Sequence, residues 1–149
     1  MKRAEANNIK PSFLQFGDWI EFNSDSMEVI MNCCVVRADG ECVYTDKTGA
    51  DPIYEEEIFP IILEKNILED NGFVYEPNSK EKDDGWWSYR KTDIPTEREY
   101  INIAFRNDNV SIYDLDILVG NNQMNLHLNF VHELQHALRL CGSKKEIII

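Results

Sequence analysis

Basic side chains are in short supply: 15 lysines and arginines face 27 aspartates and glutamates, for a net charge of −12 over 149 residues. That imbalance argues against a surface built to coat nucleic-acid phosphate or an anionic membrane. No run approaches the ~18 apolar residues of a membrane span, and no apolar signal segment opens the chain, so a cytoplasmic protein is expected. Cysteine is sparse and badly spaced for chemistry. Cys33, Cys34, Cys42 and Cys141 form neither a C-x-x-C pair nor a secreted disulfide framework, as expected of buried thiols in a reducing compartment. Cys33 and Cys34, neighbours on an expected strand, point to opposite faces and are poorly placed to chelate one metal. There is no phosphate-cradling glycine loop, no G-x-S-x-G, no internal repeat and no low-complexity segment.

What is present suffices for a core, since 43% of the residues are hydrophobic and 11% aromatic. Residues 1–12, with Asn7-Asn8 and Pro11, lack periodicity and read as a flexible arm. From Gly17-Asp18 the alternation of Trp19 to Phe22 predicts a half-buried strand. Met27 to Arg37 and Glu41 to Thr45 predict two more, joined at Asp39-Gly40, a register that would set Arg37 opposite Cys42. Ile53 to Phe59 adds a further short strand. Such spacing over residues 13–60 predicts a small SH3-like β-barrel.

Residues 61–149 then read as a second module. Ile62, Leu63, Ile67 and Leu68 share one helical face, and Asn71-Gly72 stops that joining helix. Phe73 to Tyr75 and Trp86 to Tyr89 predict strands around a polar loop, 77–85, placed to bind a partner. Trp86 and Trp87 face opposite ways, so at most one of them serves as a stacking platform with Ser88 or its neighbours, and core packing is the expected use. A second irregular link, Thr92 to Glu97, leads to a hairpin of Tyr100–Arg106 with Val110–Tyr113. Glu146–Ile149 reads as a last strand.

The longest periodic stretch predicts a helix over 123–141. Leu126, Phe130, Val131, Leu134, Ala137, Leu138 and Cys141 make one apolar stripe, with His132, His136 and Arg139 opposite and Gly142 at the stop. Inside it lies His132-Glu133-Leu134-Gln135-His136, an H-E-x-x-H pattern. Two imidazoles one turn apart are zinc ligands in such a pattern, and the glutamate deprotonates a bound water. A catalytic zinc needs a third protein ligand. The extended H-E-x-x-H-x-x-G-x-x-H form fails, because Arg139 and Gly142 occupy its glycine and third-histidine positions. Past His136 the sole carboxylate is Glu146, and His127, placed on the apolar side of the same expected helix, cannot complete the set. The expectation is therefore that His132, Glu133 and His136 form no zinc site and that the protein has no cofactor.

Three stretches, Gly17-Asp-Trp-Ile-Glu-Phe22, Phe59 to Phe73 and Phe130-Val-His-Glu-Leu-Gln-His-Ala-Leu-Arg-Leu-Cys-Gly142 with its short terminal strand, span nearly the whole chain. Through them it resembles an uncharacterised family of short phage, prophage and mobile-element proteins of gut bacteria. The resemblance implies that His-Gln-Leu-Gln-Asn often stands where this chain has His132 to His136. It implies no activity or substrate, but the context of a cytoplasmic accessory protein acting inside a bacterium, a context that suggests action against host defence.

Together these give an α+β protein: an SH3-like barrel, a joining helix, then an antiparallel sheet packed by one long C-terminal helix. The leading function is a non-enzymatic module that binds a protein or small ligand. A zinc metallopeptidase using His132, His136 and Glu133 is the first alternative, and a nucleic-acid-associated SH3-like module, disfavoured by the charge, is the second.

Overall fold

The computed structural model describes residues 7–77, 85–91, 99–105 and 113–149. The fold is α+β, with two antiparallel five-stranded sheets and two short α-helices among the described residues. The chain divides into two compact units, Met1–Ile61 with Ile149, and Ile62–Ile148.

In the first unit a 3₁₀ turn at Pro11–Phe13 precedes β1 (Trp19–Ser24), β2 (Val29–Asp39), β3 (Cys42–Thr45), β4 (Ile53–Tyr54) and β5 (Ile58–Phe59). β1 shows the expected alternation, burying Ile20, Phe22 and Ser24. Ile20 and Phe22 join Ile9, Leu14, Cys33, Val35, Val43, Ile53 and Ile58 in one apolar core. The β2–β3 hairpin turns on Gly40-Glu41, not on Asp39-Gly40. Asp39 therefore faces Cys42, and Arg37 faces Tyr44, whose ring its guanidinium covers at 4.1 Å. β2 is long because it serves two partners. Val29 to Cys34 pair with β1, Val35 onward with β3, and a bulge at Val36 interrupts the β3 register. An extra residue there bends the strand.

The sheet runs β4-β3-β2-β1-β5. Its two outer strands are consecutive in the chain, separated only by a 3₁₀ turn at Glu55–Glu57. Flat, five strands would hold their outer members about 19 Å apart. One such turn covers about 8 Å, and even an extended chain from Tyr54 to Ile58 covers about 14 Å. The sheet must therefore curl. No ladder joins β4 to β5 among the described residues, so the expected closed barrel is an open, curled sheet instead. Strand count and turn spacing, which motivated the barrel, carry no information about whether the outer strands bond to each other.

The second unit begins with α1 (Lys65–Asp70), followed by β6 (Val74–Pro77), β7 (Gly85–Lys91), β8 (Glu99–Phe105), β9 (Tyr113–Val119), β10 (Asn122–Leu128) and α2 (Val131–Leu140). Its sheet is a plain meander, β10-β9-β8-β7-β6. Both helices end identically. Gly72 and Gly142 adopt φ of 83° and 81°, their N–H groups reach Glu69 and Arg139 at 3.0 Å, and the next residues reach back to Leu68 and Leu138 at 3.0 and 2.9 Å. Glycine suits this left-handed closing position, where a Cβ is unfavourable.

The C-terminal helix is shorter than the predicted 123–141. Residues 122–128 form β10, pairing with β9 through all seven positions. Gly120-Asn121 makes the hairpin, and the period-two spacing of Met124, Leu126 and Leu128 prevails over the i, i+4 spacing that linked Leu126 to Phe130. The strand predicted at Val110–Tyr113 begins outside the described residues, and β9 instead runs on to Val119. The predicted binding loop lies mostly outside them as well, at 78–84, as does the link at 92–98. Glu146–Ile149 is not a strand. Ile147 is buried, and the Asn71 side chain holds Ile148 by accepting its N–H and donating to its C=O, both at 2.8 Å, while also donating to the Ile67 carbonyl.

One face of this sheet belongs to the core, with Trp87, Ile101, Ile103, Leu115 and Ile117 all nearly inaccessible. Glu99, on the same face, accepts hydrogen bonds from Ser143 Oγ at 2.8 Å and the Lys144 N–H at 3.2 Å, which fastens the segment after α2 to that side. α2 contributes Val131, Leu134, Ala137 and Leu138 to the core.

Candidate functional site

Two places gather polar and titratable side chains: the His/Glu helix α2 and the outer face of the second sheet.

On α2, the His132 ring stacks on Phe130 at 5.9 Å and meets His136 edge-on at 5.8 Å, so the two imidazoles are neighbours as one helical turn requires. Glu133 is turned the other way. Its Oε1 accepts the backbone N–H groups of Asn129 and Phe130, both at 3.0 Å. As the third residue of the helix it closes the amino end, where orphan N–H groups and the helix dipole favour a carboxylate. A carboxylate held this way serves the backbone at the helix start, a duty that a peptidase's base does not have. Among the described residues, no group of three His, Cys, Asp or Glu side chains could share a metal ion. His127, expected on this helix, lies on β10 instead, and its Nδ1 is 2.5 Å from Asp114 Oδ1.

That pair belongs to the outer face of the meander. Residues directly opposite in an antiparallel ladder share a face, and the register sets out rows across the strands. One row reads Glu76, Trp86, Ala104, Asp114, His127, and the next Val74, Ser88, Asn102, Asp116, Asn125. The β8–β10 part of these rows lines a shallow cavity of about 270 Å³. Asp114 and Asp116 are half-buried there, and His127 and Asn125 are exposed. Asn102 Oδ1 is shielded from solvent and has no hydrogen-bond partner, a costly condition that a bound donor would relieve.

Trp86 and Trp87 do face opposite ways. Trp87 is buried with its ring 5.1 Å from that of Tyr75, whereas Trp86 lies on the outer face and donates its indole N–H to Glu76. Arg90 Nη2 is 3.9 Å from the same carboxylate. On the core side, Lys145 Nζ lies 4.7 Å over the Tyr89 ring. Burial lowers its ammonium below the usual lysine range, opposed by the charge of Glu99. A second hollow, in the first unit, lies beside Arg37, Tyr44 and Gly49.

The sequence reading did not identify Asn102, Asp114, Asp116 or Asn125. The signal was available in Asp114-Leu-Asp-Ile-Leu-Val119, whose alternation sets both aspartates on one face of a strand.

No protein-family model matches the chain, and comparison with curated proteins and with solved structures finds no similar protein.

Proposed function

We propose that the protein is a non-enzymatic accessory module, of phage or mobile-element origin and acting in the bacterial cytoplasm, that holds a protein or small ligand on the outer face of its second sheet. The observation that carries the reading is the cavity lined by Asn102, Asp114, Asp116, Asn125 and His127 on a sheet whose opposite face buries Trp87, Ile101, Ile103, Leu115 and Ile117. A scaffold that buries one face leaves the other for recognition, and a concavity with convergent polar groups is the usual form of a binding site. In this reading the curled N-terminal sheet is SH3-like. Two duties already held by the zinc-motif residues weigh against the metallopeptidase alternative: Glu133 caps α2, and the His132 ring stacks on Phe130. The cavity's two carboxylates weigh against nucleic acid.

The test is photo-crosslinking inside bacteria from a reactive residue introduced at Asn125, with Ile30, exposed on the first unit, as the comparison site. A discrete adduct from position 125 that is lost on adding Asp116→Arg supports the reading. Adducts formed only from position 30 overturn it.

A further inference from the structure

We infer that the outer-face cavity of the second sheet receives a guanidinium group, the side chain of an arginine in the bound partner. This rests on the binding reading above and names what the site selects. Ionised Asp114 and Asp116 can only accept hydrogen bonds. Asn102 presents a shielded carbonyl oxygen that has no donor. His127 Nδ1, the imidazole donor on this wall, is directed at Asp114. Beside the amide N–H groups of Asn102 and Asn125, an entering group therefore meets two carboxylates and an unsatisfied carbonyl oxygen, and to satisfy these it must bring N–H donors. The site's two carboxylates, in a chain of net charge −12, add that it should be a cation.

The spacing favours a fork over a point charge. Asn102 and Asp116 are directly paired across β8 and β9, so their side chains start about 5 Å apart on one face. A planar guanidinium with five divergent donors can bond both at once, whereas an ammonium gathers its three donors on one atom. The Ala104 methyl, on the same wall, leaves room and apolar contact for the arginine stem.

The experiment is a ¹⁵N-amide NMR titration of the full chain with N-acetyl-arginine amide, N-acetyl-lysine amide and the neutral isostere N-acetyl-citrulline amide. The arginine compound is expected to shift amides at 102–104, 114–116 and 125–127 with saturation in the millimolar range. The lysine compound should bind about fivefold more weakly, the equivalent of one net hydrogen bond, and citrulline should leave the spectrum unchanged. Asp116→Asn should weaken arginine binding about tenfold and Asn102→Ala about fivefold, with amides elsewhere unmoved as the check on folding. Equal response to lysine and arginine, or shifts mapping elsewhere, overturns the guanidinium assignment. If a crosslinked partner contacts β8–β10 while arginine does not, only this assignment falls. If the partner maps away from β8–β10, the binding reading falls with it.

Discussion

The two sheets have the same number of strands and solve the burial problem in different ways. The N-terminal one bends on itself: its strands are uneven, its longest strand is broken by a bulge, and its core residues come from the sheet and the segment leading into it. The C-terminal one keeps four strands of equal length in unbroken register and buries one face beneath added segments, α2 among them. A curled sheet encloses its inner surface. A covered sheet leaves a broad second face free, and there the half-buried Asp114 and Asp116 gather in a cavity.

Replacing one fully buried residue in each unit should give the largest effect that separates the two designs. Leu134→Ala in α2 and Ile20→Ala in β1 are each expected to cost about 3 kcal/mol, both side chains being inaccessible to solvent. Hydrogen exchange should then show protection lost from β6–β10 in the first variant and from β1–β5 in the second. Equal loss across both sheets in either variant would mean that the units share one cooperative core.

A smaller effect is expected at the helix cap. Glu133→Ala leaves two backbone N–H groups without their carboxylate and should cost about 1 kcal/mol by denaturant unfolding. Glu133→Gln, which keeps an accepting oxygen, should cost less than half of that. If Glu133 were a catalytic base with no capping duty, both variants would unfold at the wild-type denaturant concentration.

The smallest effects concern the thiols, which give each unit its own reporter. Cys33 and Cys141 are buried in the first and second units, whereas Cys34 and Cys42 are half-exposed. Burial pushes both inner thiols up, at Cys33 against a weaker downward pull from a hydrogen bond with Thr45. Iodoacetamide followed by peptide mass mapping should therefore label Cys34 and Cys42 first. In Leu134→Ala, Cys141 should become reactive before Cys33. A thiol held above its unfolded value retains its proton in the folded state after the unfolded chain has lost its own. Stability should consequently decline as pH rises past about 8.5, where unfolded thiols ionise, and Cys33→Ala should lessen that decline.

Much of the architecture was legible because it rests on local rules. Alternation marked β1, Asn71-Gly72 and Gly142 marked two helix ends, and the opposed faces of Trp86 and Trp87 followed from strand geometry. Two errors share one origin, a feature decided by residues far away in the chain. Asn122 to Leu128 satisfies both periods, and its choice of strand depends on pairing with Asp114 to Val119. Closure of the first sheet depends on whether β4 and β5 bond, which no local pattern records. The candidate site was missed for the related reason that Asp114, Asn102 and His127 converge only through register, while the more conspicuous His132 and Glu133 matched a short motif whose carboxylate serves the backbone.

The three-residue turn at Glu55–Glu57 has a mechanical consequence. Lengthening a surface loop normally changes stability little, but this one fastens opposite margins of a sheet, so its span works as a drawstring. Adding residues would pay out slack and let the curvature relax, opening the core around Ile58 and Ile53 to water. Among the connections of the first unit, this is the one whose length has shape as its output.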